Sequence, residues 1–127
     1  GIAAKLCGAD RVVASELDAF AIEACRANAA LNEAQLETEL GDVVGRFDEW
    51  DVIIAGDVFY GAAGARHIGS WLEATARRGT RVLIGDPGRS FLPREKLDCL
   101  AEYTVPVTRD LEDREVRYAK VWSFKTS

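Results

Sequence analysis

The sequence predicts an α/β fold built on a parallel sheet, and three observations carry that reading. Short apolar runs alternate with segments of helical periodicity: Arg11–Glu16, Leu36–Leu40, Asp51–Ala55 and Arg81–Ile84 read as strands, and stretches from Asp18 to about Asn32 and from about Ala65 to Arg78 read as helices. The third run, starting at Asp51, is β-branched and uniformly apolar, as in a strand covered on both faces. The tail breaks the alternation. Tyr103–Leu111 and Val116–Lys125 read as two alternating strands around the charged turn Glu112-Asp-Arg-Glu115, an antiparallel hairpin that a plain dinucleotide-binding fold does not call for.

Each element has a local cause. Ile2 to Cys7 is Ala-rich and helix-forming, and Gly8 is placed as its stop. After the first strand, Asp18 is positioned as the N-cap of a helix whose stripe is Ile22, Cys25, Ala29 and Phe20, with Glu23 and Arg26 away from it. Gly41-Asp42 turns the chain after the second strand. In the next helix Ile68, Trp71, Leu72 and Thr75 repeat at helical spacing, and Gly79 follows as a stop. Gly85-Asp-Pro-Gly88 sets two permissive glycines around a fixed proline, and Pro93 is placed to start a helix through Leu100. In the hairpin Val116, Tyr118, Trp122 and Phe124 share the face expected to meet the core. Pro106 cannot donate to a ladder, so its strand belongs at an edge or bulge.

At 127 residues the chain has the length of one domain with one core. Its formal net charge is −5 and its basic residues are scattered, which argues against a non-specific nucleic-acid binder and suits a partner rich in lysine. Cys7, Cys25 and Cys99 lie far apart with no CxxC spacing, so neither a metal site nor a disulfide framework is expected, and all three read as core-filling thiols. No stretch approaches the roughly 20 apolar residues of a membrane span, and no charged-then-apolar leader opens the chain. The expected setting is a reducing, soluble compartment: the cytoplasm, or the mitochondrial matrix in a eukaryote.

In an open α/β sheet ligands bind at the carboxyl ends of the strands. What stands there is an acid each time: Glu16, Asp42, Asp57 and Asp86. A single acid at such a place means little, because turns favour Asp and helices favour acids in their first turn. Four in register suggest a nucleoside laid across the edge. Glu16 is suited to the two hydroxyls of a ribose, with Asp18 better explained as a cap. Asp42 is suited to accept from an adenine amine, with Val43 and Val44 as apolar contacts. Asp57 and Tyr60 then fall beside the reacting end. Asp86 reads as the cap of its own turn with Arg89 as partner, and His67, on a helix, as a surface residue.

"VVASELD" at Val12–Asp18, "GDVV" at Gly41–Val44 and "GDVFY" at Gly56–Tyr60 resemble, in order, the motifs of class I methyltransferases that use S-adenosylmethionine. The pair "GDVFY" and "RVLIGDPGR" (Arg81–Arg89) is similar, more narrowly, to the lysine methyltransferases that modify the β subunit of electron transfer flavoprotein. The likeness runs from Ile2 to Phe124. It implies a Rossmann-like, seven-stranded methyltransferase sheet ending in an antiparallel hairpin. The first strand and glycine-rich loop of that family are missing here, so residues 1–127 are expected to be a single methyltransferase domain truncated at its N-terminus.

The resemblance also implies S-adenosylmethionine as cofactor, held by Glu16, Leu17, Asp42, Val43 and Asp57. It implies Asp57 and Tyr60 as catalytic residues and Phe59 and Tyr60 as contacts to the acceptor lysine, although ordinary core packing explains Phe59 equally well. A carboxylate beside an ammonium stabilises the charged form, so Asp57 is better suited to orient the amine than to deprotonate it. The implied partner is a protein, the flavoprotein β subunit or alternatively a ribosomal protein, with no nucleic acid and no membrane. Competing readings are a methyltransferase for another acceptor, such as a small molecule, a nicotinamide-dependent dehydrogenase in which Glu16 serves the same ribose, and a non-catalytic interaction module.

Overall fold

The computed structural model describes residues 1–106 and 116–126, and its elements divide into two units, Gly1–Val44 and Gly45–Ser127. The first unit holds helix α1 (Ile2–Leu6), strand β1 (Val13–Glu16), helix α2 (Ala19–Leu31) and strand β2 (Glu37–Leu40), in the order the sequence predicts. β1 and β2 pair in parallel, with Glu16 opposite Leu40. Asp18 caps α2 as expected, its Oδ1 accepting from the Phe20 amide at 2.9 Å. Ile22 and Ala29 form the buried stripe of α2, while Glu23 and Arg26 pair on the outer side at 2.5 Å. Phe20, expected on that stripe, is 85% exposed. It stands in the first turn of α2, two residues past the Asp18 cap.

The second unit holds strand β3 (Val52–Gly56), helix α3 (Ala62–Arg77), strand β4 (Arg81–Gly85), a single 3-10 turn over Arg94–Lys96, and strands β5 (Leu97–Pro106) and β6 (Val116–Phe124). The sheet order is β3-β4-β6-β5. β3 and β4 are parallel, and β6 runs antiparallel to both β4 and β5, so the expected hairpin is present. Pro106 closes β5, an edge strand, where a missing donor costs least.

The core of this unit lies under α3. Phe59, Leu72, Val82 and Ile84 are its largest fully buried side chains, joined by Ala55, Leu92, Leu97 and Trp122. α3 buries Ala65, Gly69, Leu72 and Thr75 along one face. Gly69 is a poor helix former, but a methyl there would stand 3.3 Å from Phe59 Cε1. The missing side chain lets the phenyl ring lie close to the helix backbone.

The structure corrects several expectations. The helix expected from Pro93 to Leu100 is a 3-10 turn followed by β5, because Leu97 to Pro106 finds a ladder partner in β6. β3 is covered on one face only: Ile53 and Ala55 pack on the core, whereas Val52 and Ile54 are exposed, no described element of this unit lying over them. Trp122 and Phe124 meet the core but Tyr118 is 65% exposed, beyond the part of the hairpin that pairs with β4. Cys7 and Cys99 are exposed and Cys25 half-buried, so none is the core filler expected. Cys7 caps the C-terminus of a short helix, and Cys99 sits at the register shift of an edge strand. The turn Glu112–Glu115 lies outside the described residues.

Candidate functional site

In the first unit the parallel pairing sets the carboxyl ends of β1 and β2 side by side, so Glu16, Leu17 and Asp18 stand next to Gly41, Asp42 and Val43. The Gly41 amide donates to the Glu16 carbonyl at 2.9 Å, which locks the two exits together. Gly41 has φ +146, and Asp42 Oδ1 accepts from the Val44 amide at 2.9 Å, so this acid shapes its own turn. Glu16 is exposed, and Leu17 beside it leaves 73% of its surface in solvent. Val43 and Val44 are half-buried. An exposed carboxylate flanked by apolar surface, with a second carboxylate just past the neighbouring strand, is chemically compatible with the hydroxyls and ring of a nucleoside.

In the second unit Gly56 of β3 is in register with Gly85 of β4, so Asp57 and Asp86 leave the sheet at the same end. Asp57 takes φ +52, a left-handed conformation that short polar side chains tolerate better than others, and its amide donates to the Gly85 carbonyl at 2.8 Å. Its carboxylate is gripped by Arg89, Nε to Oδ1 at 2.5 Å and Nη2 to Oδ2 at 3.0 Å. The hydrogen bonds from Arg89 are the largest influence and lower the Asp57 carboxyl from its ordinary value; desolvation opposes them, and the charges of Arg89 and Arg117 add smaller pulls downward.

Asp86 has a different task. Only 2% exposed, it accepts at Oδ1 from the amides of Gly88 and Arg89, each at 2.7 Å. Its carbonyl accepts from Trp122 Nε1 at 2.9 Å. Arg94 Nη2 donates to the Gly88 carbonyl. The loop leaving β4 is thus held from three sides, and Asp86 caps it as the sequence suggests. The expected Asp86–Arg89 side-chain partnership is corrected: Asp86 takes the Arg89 backbone, and the guanidinium reaches across to Asp57.

Phe59 and Tyr60, adjacent in sequence, go opposite ways. Phe59 has no exposed surface and belongs to the core, the second of its two expected roles, while Tyr60 is 78% exposed. His67 is exposed on α3. Arg89 is the residue that sequence reasoning misplaced. The signal that finds it is register: once Gly56 is paired with Gly85, the residues just beyond both strands must be neighbours. Among the described residues no group of three His, Cys, Asp or Glu side chains is placed to hold a metal ion, and no helix is long and apolar enough to cross a membrane.

Comparison with known proteins bears on the family likeness and the fold. Residues 1–57 match the family model described as ribosomal protein L11 methyltransferase (PrmA). The electron transfer flavoprotein beta subunit lysine methyltransferase of Danio rerio is 38% identical over 97% of this chain and 50% of its own length. Its Xenopus laevis counterpart is 37% identical over 98% of this chain and 53% of its own. The chain resembles these lysine methyltransferases. It spans about half the length of the curated relatives it matches. Among solved structures, the Pyrococcus abyssi tRNA (uracil-54, C5)-methyltransferase in complex with S-adenosyl-L-homocysteine superposes with a TM-score of 0.60 at 12% identity, over 97% of this chain and 30% of that one. At that identity the likeness is one of fold: a Rossmann-like methyltransferase architecture.

Proposed function

We propose that the full-length protein carrying this chain transfers a methyl group from S-adenosylmethionine to lysine side chains of a protein, and that the acceptor is the β subunit of electron transfer flavoprotein. The observation that carries this reading is the 38% identity to a lysine methyltransferase of that subunit, sustained over 97% of the chain rather than confined to a motif. In this reading Glu16 binds the ribose hydroxyls, Asp42 accepts from the adenine amine, and Leu17 and Val43 cover the ring. When bound, the cofactor supplies an electrophilic methyl on a sulfonium centre. Asp57 and the exposed Tyr60 orient the acceptor nitrogen, positioning being the largest contribution a protein makes to such a displacement. The acceptor must be a neutral amine, though its unperturbed pKa is about 10.4.

The seven-stranded sheet with one more strand outside these residues belongs to the same proposal. It is supported by β3, which pairs only with β4 among the described residues and so presents its other backbone edge to a further strand. Three unpaired cysteines favour a reducing compartment, cytoplasm or mitochondrial matrix.

The test is incubation of the full-length protein with methyl-labelled cofactor and either the purified flavoprotein subunit, a ribosomal protein fraction or RNA. Label recovered as methyl-lysine from the subunit supports the reading. Label only in the ribosomal fraction would move the acceptor to the one named by the family model that matches residues 1–57. Label in RNA, or none, sinks the proposal.

A further inference from the structure

We propose that Arg89 is the positioning residue of Asp57: its two-point fork aims the carboxylate while offsetting its charge, so that the acid orients an acceptor amine without holding it protonated. This rests on the lysine-methyltransferase reading above.

The geometry is that of a fork on a fork, Nε to Oδ1 and Nη2 to Oδ2, the arrangement that fixes both the direction and the plane of a carboxylate. The Asp57 backbone is fixed separately, by its amide on the Gly85 carbonyl and by its left-handed turn. Carboxylate and backbone together leave this side chain little freedom. Each carboxylate oxygen has a second lone pair, so Asp57 can accept from an incoming amine while Arg89 keeps its grip.

The pair is not needed to build the loop. Asp86, Trp122 and Arg94 already hold the segment from Asp86 to Gly88 by hydrogen bonds that do not involve the Arg89 side chain. Both partners are also partly in solvent, at 36% and 56% of side-chain surface, where ion pairs contribute little to stability. A fork this well formed at a place where it stabilises so little points to a task other than folding.

That task follows from the sign of the charges. A lone carboxylate favours the ammonium form of a neighbouring lysine and opposes its deprotonation. A guanidinium hydrogen-bonded to the same carboxylate offsets that field and leaves the acceptor geometry intact. Arg117 of β6 adds positive charge at Asp57, and Asp86 of the same loop acts on Arg89 with the opposite sign. The acceptor amine thus meets a near-neutral group that still accepts a hydrogen bond, and it gives its proton to water.

The test uses the full-length protein with R89M, which loses charge and fork, and R89K, which keeps the charge. With labelled cofactor and the flavoprotein subunit, R89M is expected to lower kcat at neutral pH about tenfold, to leave the cofactor KM within about twofold, and to displace the rise of rate with pH upward by about one unit. R89K should lose turnover with that rise unmoved. Wild-type turnover in R89M, or an equal loss at every pH, overturns the proposal. A carboxyl 13C NMR titration of Asp57 gives a readout that needs no turnover: R89M must raise the Asp57 pKa, and an unmoved titration overturns the proposal as well. If wild-type protein methylates no lysine while the titration does move, the amine role falls with the lysine reading, and the hold of Arg89 on Asp57 stands.

Discussion

Replacing Phe59 with alanine separates a core residue from a substrate contact. Phe59 has no exposed surface and its ring lies against the backbone of α3 at Gly69. A buried phenylalanine removes roughly 150–250 Å² from water. At about 25 cal/mol per Å² that amounts to about 4–6 kcal/mol, reduced by the surface an unfolded chain already hides. The expectation for F59A is a loss of about 3–5 kcal/mol, in the range of measured Phe→Ala core truncations. Urea unfolding of the full-length protein should show this as a midpoint lower by about 2 M, given a slope near 2 kcal/mol/M. A second arm tests the contact itself. In the F59A background Gly69→Ala meets no ring, and the gain in helix propensity should recover about 0.5–1 kcal/mol. A loss below about 1 kcal/mol in F59A would refute the packing argument. So would an F59L variant that raises the acceptor KM with stability unchanged, which would return Phe59 to the lysine stem.

Three further outcomes are expected. Gly88 has φ +101 and an added methyl would stand 2.8 Å from Arg94 Nη2, so G88A should destabilise by about 1–2 kcal/mol from the backbone alone; the same loss in an R94A background, read by urea unfolding, separates backbone strain from the contact. Trp122→Phe removes the donor to the Asp86 carbonyl and should lower stability by about 1–3 kcal/mol in thermal melts, whereas a loss near zero would mean that the carbonyl finds another partner. Glu73, hydrogen-bonded by Lys96 at 2.7 Å and paired with Arg77 at 2.6 Å, has its pKa lowered from 4.5, chiefly by Lys96. A carboxyl depressed on folding contributes stability above its unfolded pKa and loses it as pH falls through the folded value. The stability gap between wild type and E73Q should therefore be full at neutral pH and close below about pH 4.5; a gap constant into acid contradicts the ion pair.

What the sequence made legible was local, and what it hid was long-range. The Asp18 cap depends on its own neighbours, and so do the stop at Gly8 and the helical stripe through Leu72; each was found where expected. Pro93 to Leu100 misled because a proline followed by Arg-Glu-Lys has good helix chemistry, while the ladder that turns Leu97 onward into a strand comes from residues beyond Val116. Phe20 kept the helical spacing but not the burial, since spacing says which side a residue takes and not how far the covering layer extends. At the site, acids at four strand ends were readable from the alternation of elements. That Arg89 serves Asp57 rather than Asp86 was not, because the choice depends on two strands lying side by side and bringing together residues 32 apart in the chain.

The left-handed turn at Asp57 narrows which residues this position can accept. The backbone at φ +52 favours glycine, asparagine and aspartate. The fork of Arg89 asks for a carboxylate on a short stem. Glycine meets the first demand and fails the second, and glutamate keeps the charge while straining the chain. Aspartate alone satisfies both, and asparagine is the replacement that keeps the backbone and the shape of the side chain while removing its charge. Drift toward a different acceptor is thereby channelled away from this position and onto solvent-facing neighbours such as Tyr60, where packing sets no limit on the side chain and only the acceptor does.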